Sequence, residues 1–432
     1  MTASSRRSKR ALTTGAASAA LCLSALTVPA AVAQSAPDTP VSTTNAALDA
    51  ALAEIPASGL PGAYGAARVG EERWQGAAGV ADLTDGSPAE ADSYHRIASL
   101  TKTFVSVAVL QQVADGALEL DALAADHLPA GTLPAELAEA VTVRMLLNHT
   151  TGIGDYIASA FPSLATLSPA SLEEHRFREL APAELVELGL AAPRTGEPGQ
   201  RYSYSNTNYI LAGLLVEQVT GQPAEEYVTE RVIAPAGLTD TFFPDSPELP
   251  TPHARLYQPL HGTQDPPDDF TEYNMSWAGT AGALVSTMPD LNRFQEALFG
   301  GELLPAEQLA EMLETVPIRG QNGQVTGAYG LGLYPIALSC DTFWGHDGIA
   351  WGASTLAFSS LDGERQAAIG YNMSHYQTLS ADGYLNPHPG DRAVVRYLDE
   401  ALCGAESELT AETLRQAELA LQTARLDRTP LS

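Results

Sequence analysis

Ser99 and Lys102 stand three positions apart in "ASLTKTF", residues 98–104. A serine hydroxyl attacks an acyl carbon only when a base removes its proton. Lysine can be that base where burial and neighbours lower its pKa, whereas arginine does not deprotonate in proteins. On a helix, positions i and i+3 share a face, so amine and hydroxyl come within reach. The composition makes the choice of lysine informative. Of 23 basic residues only Lys102 and Lys9 are lysines, and the rest are arginines. S-x-x-K by itself is short enough to arise by chance.

Two further stretches carry groups of the right kind. In "YSYSNTN", residues 202–208, Tyr204 offers a phenol that can relay a proton, and Asn206 a carboxamide that can hold a substrate carbonyl. By itself the same stretch reads first as a helix start, because Ser205, Asn206 and Thr207 are all good N-caps. In "FWGHDGIAWG", residues 343–352, His346, Asp347 and Gly348 lie on or beside a strand. A lone histidine is usually structural. Glycine inside a strand marks close approach by a ligand or by another backbone, and a strand edge there could pair with an extended peptide.

The elements that must position these groups follow from the hydrophobic pattern. Residues 62–82 alternate small and apolar positions and predict two antiparallel strands turning near Gly70-Glu71. A helix follows from about Ser99 to Ala114, stopped by Gly116 and apolar on nearly all sides, hence buried. Between 117 and 275, Leu/Ala-rich helical stretches alternate with proline-rich loops; one helix runs from about Thr207 to Val219 and ends at Gly221. Short β-type runs then return as "YGLGLYPI", "TFWGH", "STLAFSS" and "RQAAIGYNM", with a hairpin turn at Leu361–Glu364. Residues 391–403 close with a helix. This order predicts an α+β domain: an antiparallel sheet with helices on both faces, from about 45–116 and 276–403, split by a helical subdomain at about 117–275. Ligand sites commonly form at such a junction. Residues 404–432 read as a surface helix or a tail removed on maturation.

Residues 1–33 have the form of a secretory signal peptide: basic "RRSKR", an apolar run from Ala11 to Leu26, and Ala31-Val32-Ala33 as cleavage signal. Together with the lack of a later run of about 20 apolar residues, this predicts a secreted protein with no stable membrane anchor. Removing the four basic residues of that leader leaves 19 basic against 52 acidic residues, a formal charge of −33. Such a surface repels nucleic acid and anionic membranes. Of the three cysteines, Cys340 and Cys403 lie beyond the leader. Outside the cell an even pair reads as a disulfide, a free thiol being the lesser alternative. No Cys/His metal spacing is present.

Taken in order, S-x-x-K, Y-x-N and H-x-G resemble the motifs of the serine β-lactamase and penicillin-binding-protein superfamily. The likeness is greatest to the soluble secreted D-alanyl-D-alanine carboxypeptidases/transpeptidases, with histidine where many members carry the lysine of K-T-G. It covers almost the whole chain after the leader, through "TVRMLLNHTTGI" at 142–153, "TDTFF" at 239–243, "SWAGTAGALVSTMPDL" at 276–291, "YGLGL" at 329–333 and "LSC" ending at Cys340. The resemblance implies the β-lactamase/DD-peptidase fold, with Ser99 as acylated nucleophile and Lys102 as its activating partner. It makes Tyr204 the proton mediator, Asn206 the holder of the substrate amide, and His346 the support of Tyr204 and the substrate end. It places the oxyanion hole at the backbone N–H groups of Ser99 and Ile349, and Trp277 in the cleft wall. It further implies a monomer acting on a small peptide or β-lactam, without metal or organic cofactor.

The pattern departs from the resemblance at the far end of the pocket. A carboxypeptidase must hold a free carboxylate, for which the family places a cation after "YGLGL" and a hydroxyl after the histidine. Those positions read Tyr334 and Asp347 here. An anionic Asp347 repels a substrate carboxylate unless it is turned away or paired. With Gly348, these residues are the expected substrate-binding positions. A D-stereospecific endopeptidase or aminopeptidase, an esterase or a β-lactamase on the same core stands beside the carboxypeptidase. A non-catalytic penicillin sensor is the alternative from another class, and an α/β-hydrolase is disfavoured because the chain has no G-x-S-x-G elbow.

Overall fold

Residues 62–79 pair as strands β1 (Gly62–Val69) and β2 (Glu72–Gly79), because the turn at Gly70 takes a φ of +59° that glycine adopts without strain. The computed structural model describes residues 45–320 and 322–426; the expected leader lies outside them. The late runs supply β3 (Tyr334–Ala337), β4 (Thr342–Ala350), β5 (Ala353–Ser359) and β6 (Arg365–Tyr371). Together they form a six-stranded antiparallel sheet in the order β2-β1-β6-β5-β4-β3. The two ends of the chain thus meet in one sheet, with Ala63 opposite Tyr371 and Val69 opposite Arg365.

"YGLGLYPI" is not one strand. Tyr329 ends a hairpin strand (Val325–Tyr329), residues 330–333 turn, and Tyr334 begins β3. Gly332 makes the break: it has φ of +83°, and a Cβ there would lie 2.2 Å from Ser106 Oγ.

The sheet is covered on both faces, as its alternation requires. Tyr64 and Ala66 of β1 face the core that includes helix α4 (Met288–Phe299), while Ala63 and Ala67 face the core built with α1 (Ala46–Ala57) and α5 (Pro389–Cys403). Between α1 and α4 in the chain lie α2 (Thr101–Ala114) and α3 (Asn206–Thr220). Helix α2 is buried from Thr101 to Leu110, and Phe104 stacks on Phe294 of α4 at 3.6 Å between ring centroids. It packs against α3 and the short helix Gly279–Gly282, so it joins the sheet to the helical half. Helix α3 ends at Gly221 in the left-handed conformation.

A disulfide links Cys340, in the turn between β3 and β4, to Cys403 at the end of α5. The following helix α6 (Ala411–Leu426) buries Leu414, Ala417 and Leu421 against the same core. No helix among the described residues is long and apolar enough to cross a membrane.

Candidate active site

The helix expected from Ser99 begins two residues later. Residues 98–100 form a 3₁₀ turn, with α2 starting at Thr101. Ala98 has φ of +48°, a conformation that costs a non-glycine residue about 1–3 kcal/mol and that clusters at active sites. It lifts Ser99 off the helix into the wall of a cavity. Strand β4 presses against this turn at Gly348, where an added Cβ would fall 2.0 Å from Ile97 O and 3.1 Å from Ser99 N. The glycine therefore serves a backbone approach and does not line the cavity; Ile349, next in the strand, does, beside Ser99.

Ser99 Oγ sits between two polar groups. Tyr204 OH donates to it at 2.8 Å and Lys102 Nζ at 3.2 Å. Lys102, fully buried, also donates to Ala281 O at 2.6 Å and Asn206 Oδ1 at 2.8 Å. Its Nζ lies 4.9 Å from the Tyr204 ring centroid. Burial pushes the neighbouring phenols Tyr156 and Tyr209 well above the ordinary value, so both stay neutral. The arrangement can move a proton from Ser99 to Lys102 or Tyr204 over a single hydrogen bond.

Asp155 was not anticipated from the sequence. Its Oδ2 accepts from Asn206 N at 2.9 Å and Nδ2 at 2.8 Å, and its Oδ1 from Ile157 N at 2.9 Å. Burial raises its pKa, while the backbone N–H groups of Asn206 and Ile157 and the Lys102 ammonium act against that rise. Asp155 thereby satisfies the first N–H of α3, the capping role that the sequence offered to Ser205. The Ser205 hydroxyl donates instead to Gly154 O at 3.0 Å. The available signal was position: Asp155 follows "NHTTGIG" directly, at the end of a landmark of the resemblance. His149, in the same segment, accepts from Ser205 N at 3.2 Å and packs its ring 4.2 Å from that of Tyr204.

The opposite wall is aromatic. Trp277 lines the cavity as expected, and Trp351, His261 and His375 line it without having been singled out. The two indoles lie 5.4 Å apart, and Phe161 meets each edge-on at 5.6 Å. Burial lowers the pKa of His261, whose Nδ1–H donates to Gln377 O at 2.8 Å. The enclosed space is small, about 70 Å³.

Three expected site residues lie behind this cavity, not on its surface. His346 is fully buried, with Nε2 2.9 Å from Tyr329 OH; the Tyr329 ring in turn lies edge-on to Tyr204. Tyr334 and Asp347, expected to bind substrate, are buried and joined to each other, Tyr334 OH donating to Asp347 Oδ1 at 2.8 Å. Strand register explains the pairing. Tyr334 opposes Gly345, so its phenol extends along β4 to the carboxylate, which when buried needs such a donor.

A family profile described as Beta-lactamase matches residues 48–382. The chain belongs to the beta-lactamase family. Among solved structures, a D-stereospecific amidohydrolase from Streptomyces sp. superposes with a TM-score of 0.69 and 37% identity, covering 76% of this chain and 94% of that one. D-amino acid amidase from Ochrobactrum anthropi SV3 gives a TM-score of 0.69 at 27% identity, covering 82% and 98%. Curated relatives include penicillin-binding protein 4* of Bacillus subtilis, 27% identical over 62% of this chain and 58% of its own length. Esterase EstB of Burkholderia gladioli is 34% identical over 46% and 50%. The chain thus spans little more than half the length of these curated relatives. The comparisons thus give the chain its family and its fold.

Proposed function

We propose that this protein is a serine hydrolase, cleaving amide or ester bonds of small D-amino-acid substrates through an acyl-enzyme on Ser99. The carbonyl carbon enters beside Ser99 Oγ, whose proton passes to Lys102 in its neutral form or through Tyr204. The tetrahedral oxyanion is held by the backbone N–H groups of Ser99 and Ile349. The leaving amine or alcohol takes that proton from Tyr204, which Lys102 reprotonates where it was the first acceptor; water then gives a proton to the same pair as it attacks the ester carbon, and Ser99 Oγ recovers it as the acid leaves. Asn206 and Lys102 keep their mutual hydrogen bond throughout. The leader pattern supports action outside the cell, and a small peptide, amide or β-lactam as partner of a monomer completes the reading.

The observation that carries the choice of substrate is the Tyr334–Asp347 pair. It stands at the positions for which the resemblance implies a carboxylate anchor, it is buried behind the cavity, and no lysine or arginine among the lining residues takes its place. An uncharged amide or ester end, packed on Trp277 and Trp351, suits this pocket better than the free carboxylate of D-Ala-D-Ala. The D-stereospecific amidohydrolase and the D-amino acid amidase among the solved structures support the same reading.

Two assays test it. Mass spectrometry of protein incubated with a labelled penicillin should place the adduct on Ser99; an adduct on any other residue removes the nucleophile assignment. A panel of D-aminoacyl amides, p-nitrophenyl esters and peptides ending in free D-Ala-D-Ala should show the amides and esters ahead. Preference for the free acids would restore the carboxypeptidase reading while leaving the mechanism in place.

A further inference from the structure

Lys102 has three N–H directions when charged, and the structure assigns an acceptor to each: Ala281 O, Asn206 Oδ1 and Ser99 Oγ. The first is a backbone carbonyl, fixed by the fold. The second is one end of a carboxamide, whose oxygen and nitrogen ends have nearly the same shape. Rotated by half a turn, Asn206 would present N–H groups to the ammonium and leave Lys102 with one acceptor fewer. Lys102 would then no longer be held with a single proton directed at Ser99.

Asp155 fixes this choice. Its Oδ2 accepts from Asn206 Nδ2 and from the Asn206 backbone N–H, and its Oδ1 from Ile157 N. All three of these partners are donors and, with the Lys102 ammonium, favour the carboxylate against the burial that raises its pKa; a carboxylate accepts only. Nδ2 is drawn to Asp155 and Oδ1 is left facing Lys102. We infer that Asp155 is a positioning residue for acylation: it locks the Asn206 amide so that the proton Lys102 exchanges is the one facing Ser99. The effect passes through Asn206, since Asp155 touches neither Ser99 nor the lining around Trp277 and Trp351 in any hydrogen bond described. The inference rests on the acyl-enzyme reading above.

The test is a cycle of four proteins: wild type, Asp155→Asn, Asn206→Ala and the double variant. Each is measured for the single-turnover acylation rate and KM with a p-nitrophenyl D-aminoacyl ester, and for thermal unfolding. Asp155→Asn keeps the size of the side chain but turns one acceptor into a donor aimed at Asn206. Its acylation rate should fall by about ten- to a hundredfold, with KM within about threefold of wild type. In the Asn206→Ala background the same change should cost under about twofold more, because Asp155 then has nothing left to orient.

Acylation by Asp155→Asn within about twofold of wild type overturns the inference. So does a double variant whose loss equals the product of the single losses, which is how a purely structural role behaves. If Asp155→Asn does not fold, Asp155→Glu takes its place under the same criteria, and the Asn206→Ala background still reports whether the effects multiply. Failure of the underlying reading looks different: wild type itself would form no ester on Ser99.

Discussion

The two walls of the cavity are built on different principles. On the Ser99 side, polar groups meet polar groups at hydrogen-bond distance, from Asp155 through Asn206 and Lys102 to Ser99 and Tyr204. On the Trp351 side, rings meet rings at 5.4–5.6 Å, with geometry set by shape. The first wall is over-determined, since moving one group leaves a buried donor or acceptor without its partner, at about 1–3 kcal/mol each. The second tolerates change in steps of surface area. On the proposed function, the acylation chemistry falls to the wall that cannot be altered, and the fit of the substrate side chain to the wall that can.

The largest break in this contrast is Ser99→Ala. It should abolish the covalent adduct and lower kcat by about 10⁴-fold or more, read by mass spectrometry and steady-state hydrolysis. Next comes Lys102→Arg, which conserves charge. An arginine cannot give up a proton, so kcat should drop by about 10²–10⁴-fold with the fold intact by circular dichroism. Near-full activity would reduce Lys102 to a fixed cation.

Acid should loosen the fold at a point outside both walls. His95, four residues before Ser99, is fully buried, its Nε2–H donating to Ser354 O and its Nδ1 accepting from the Tyr64 hydroxyl. Burial lowers its pKa from 6.5 to about 4. The unfolded chain therefore takes up this proton first as pH falls, and stability declines between about pH 6.5 and 4. The contribution is about 3 kcal/mol, complete below pH 4. Urea titrations from pH 7 to 4 should show a slope that His95→Asn removes; an unchanged slope would place the acid sensitivity elsewhere.

The smallest effect should come from the aromatic wall. Trp351→Leu should lower kcat/KM for bulky aromatic D-aminoacyl amides by about tenfold, while the acylation rate with the smallest ester changes by less than about threefold. Equal losses on both substrates would mean that Trp351 also orients the polar wall, and the contrast would fail.

Much of the polar wall was legible in advance, because its members are rare types in rigid local settings. A lysine among arginines, three residues after a serine on an all-apolar helix, already indicates burial and chemistry, and Tyr204 and Asn206 flank the start of the next long helix. Asp155 was not legible: an acidic residue in a chain with 52 of them carries no signal until a backbone N–H is seen to point at it. Trp351 lay three residues beyond a motif that drew attention to His346 and Asp347 instead, just past the end of β4.

The sequence by itself determined the alternation that makes the sheet, the buried helix after Ser99, the chain order of the three motifs and the cysteine pair. These depend on periodicity and residue type, which are local properties. Only the tertiary structure decided which of the motif residues line the cavity. Gly348 answers to the backbone of Ile97, and Asp347 to a phenol placed opposite Gly345 by strand register. The physical reason is that a side chain's role follows from its nearest partner, and these partners come from distant segments brought together by the closing of the sheet.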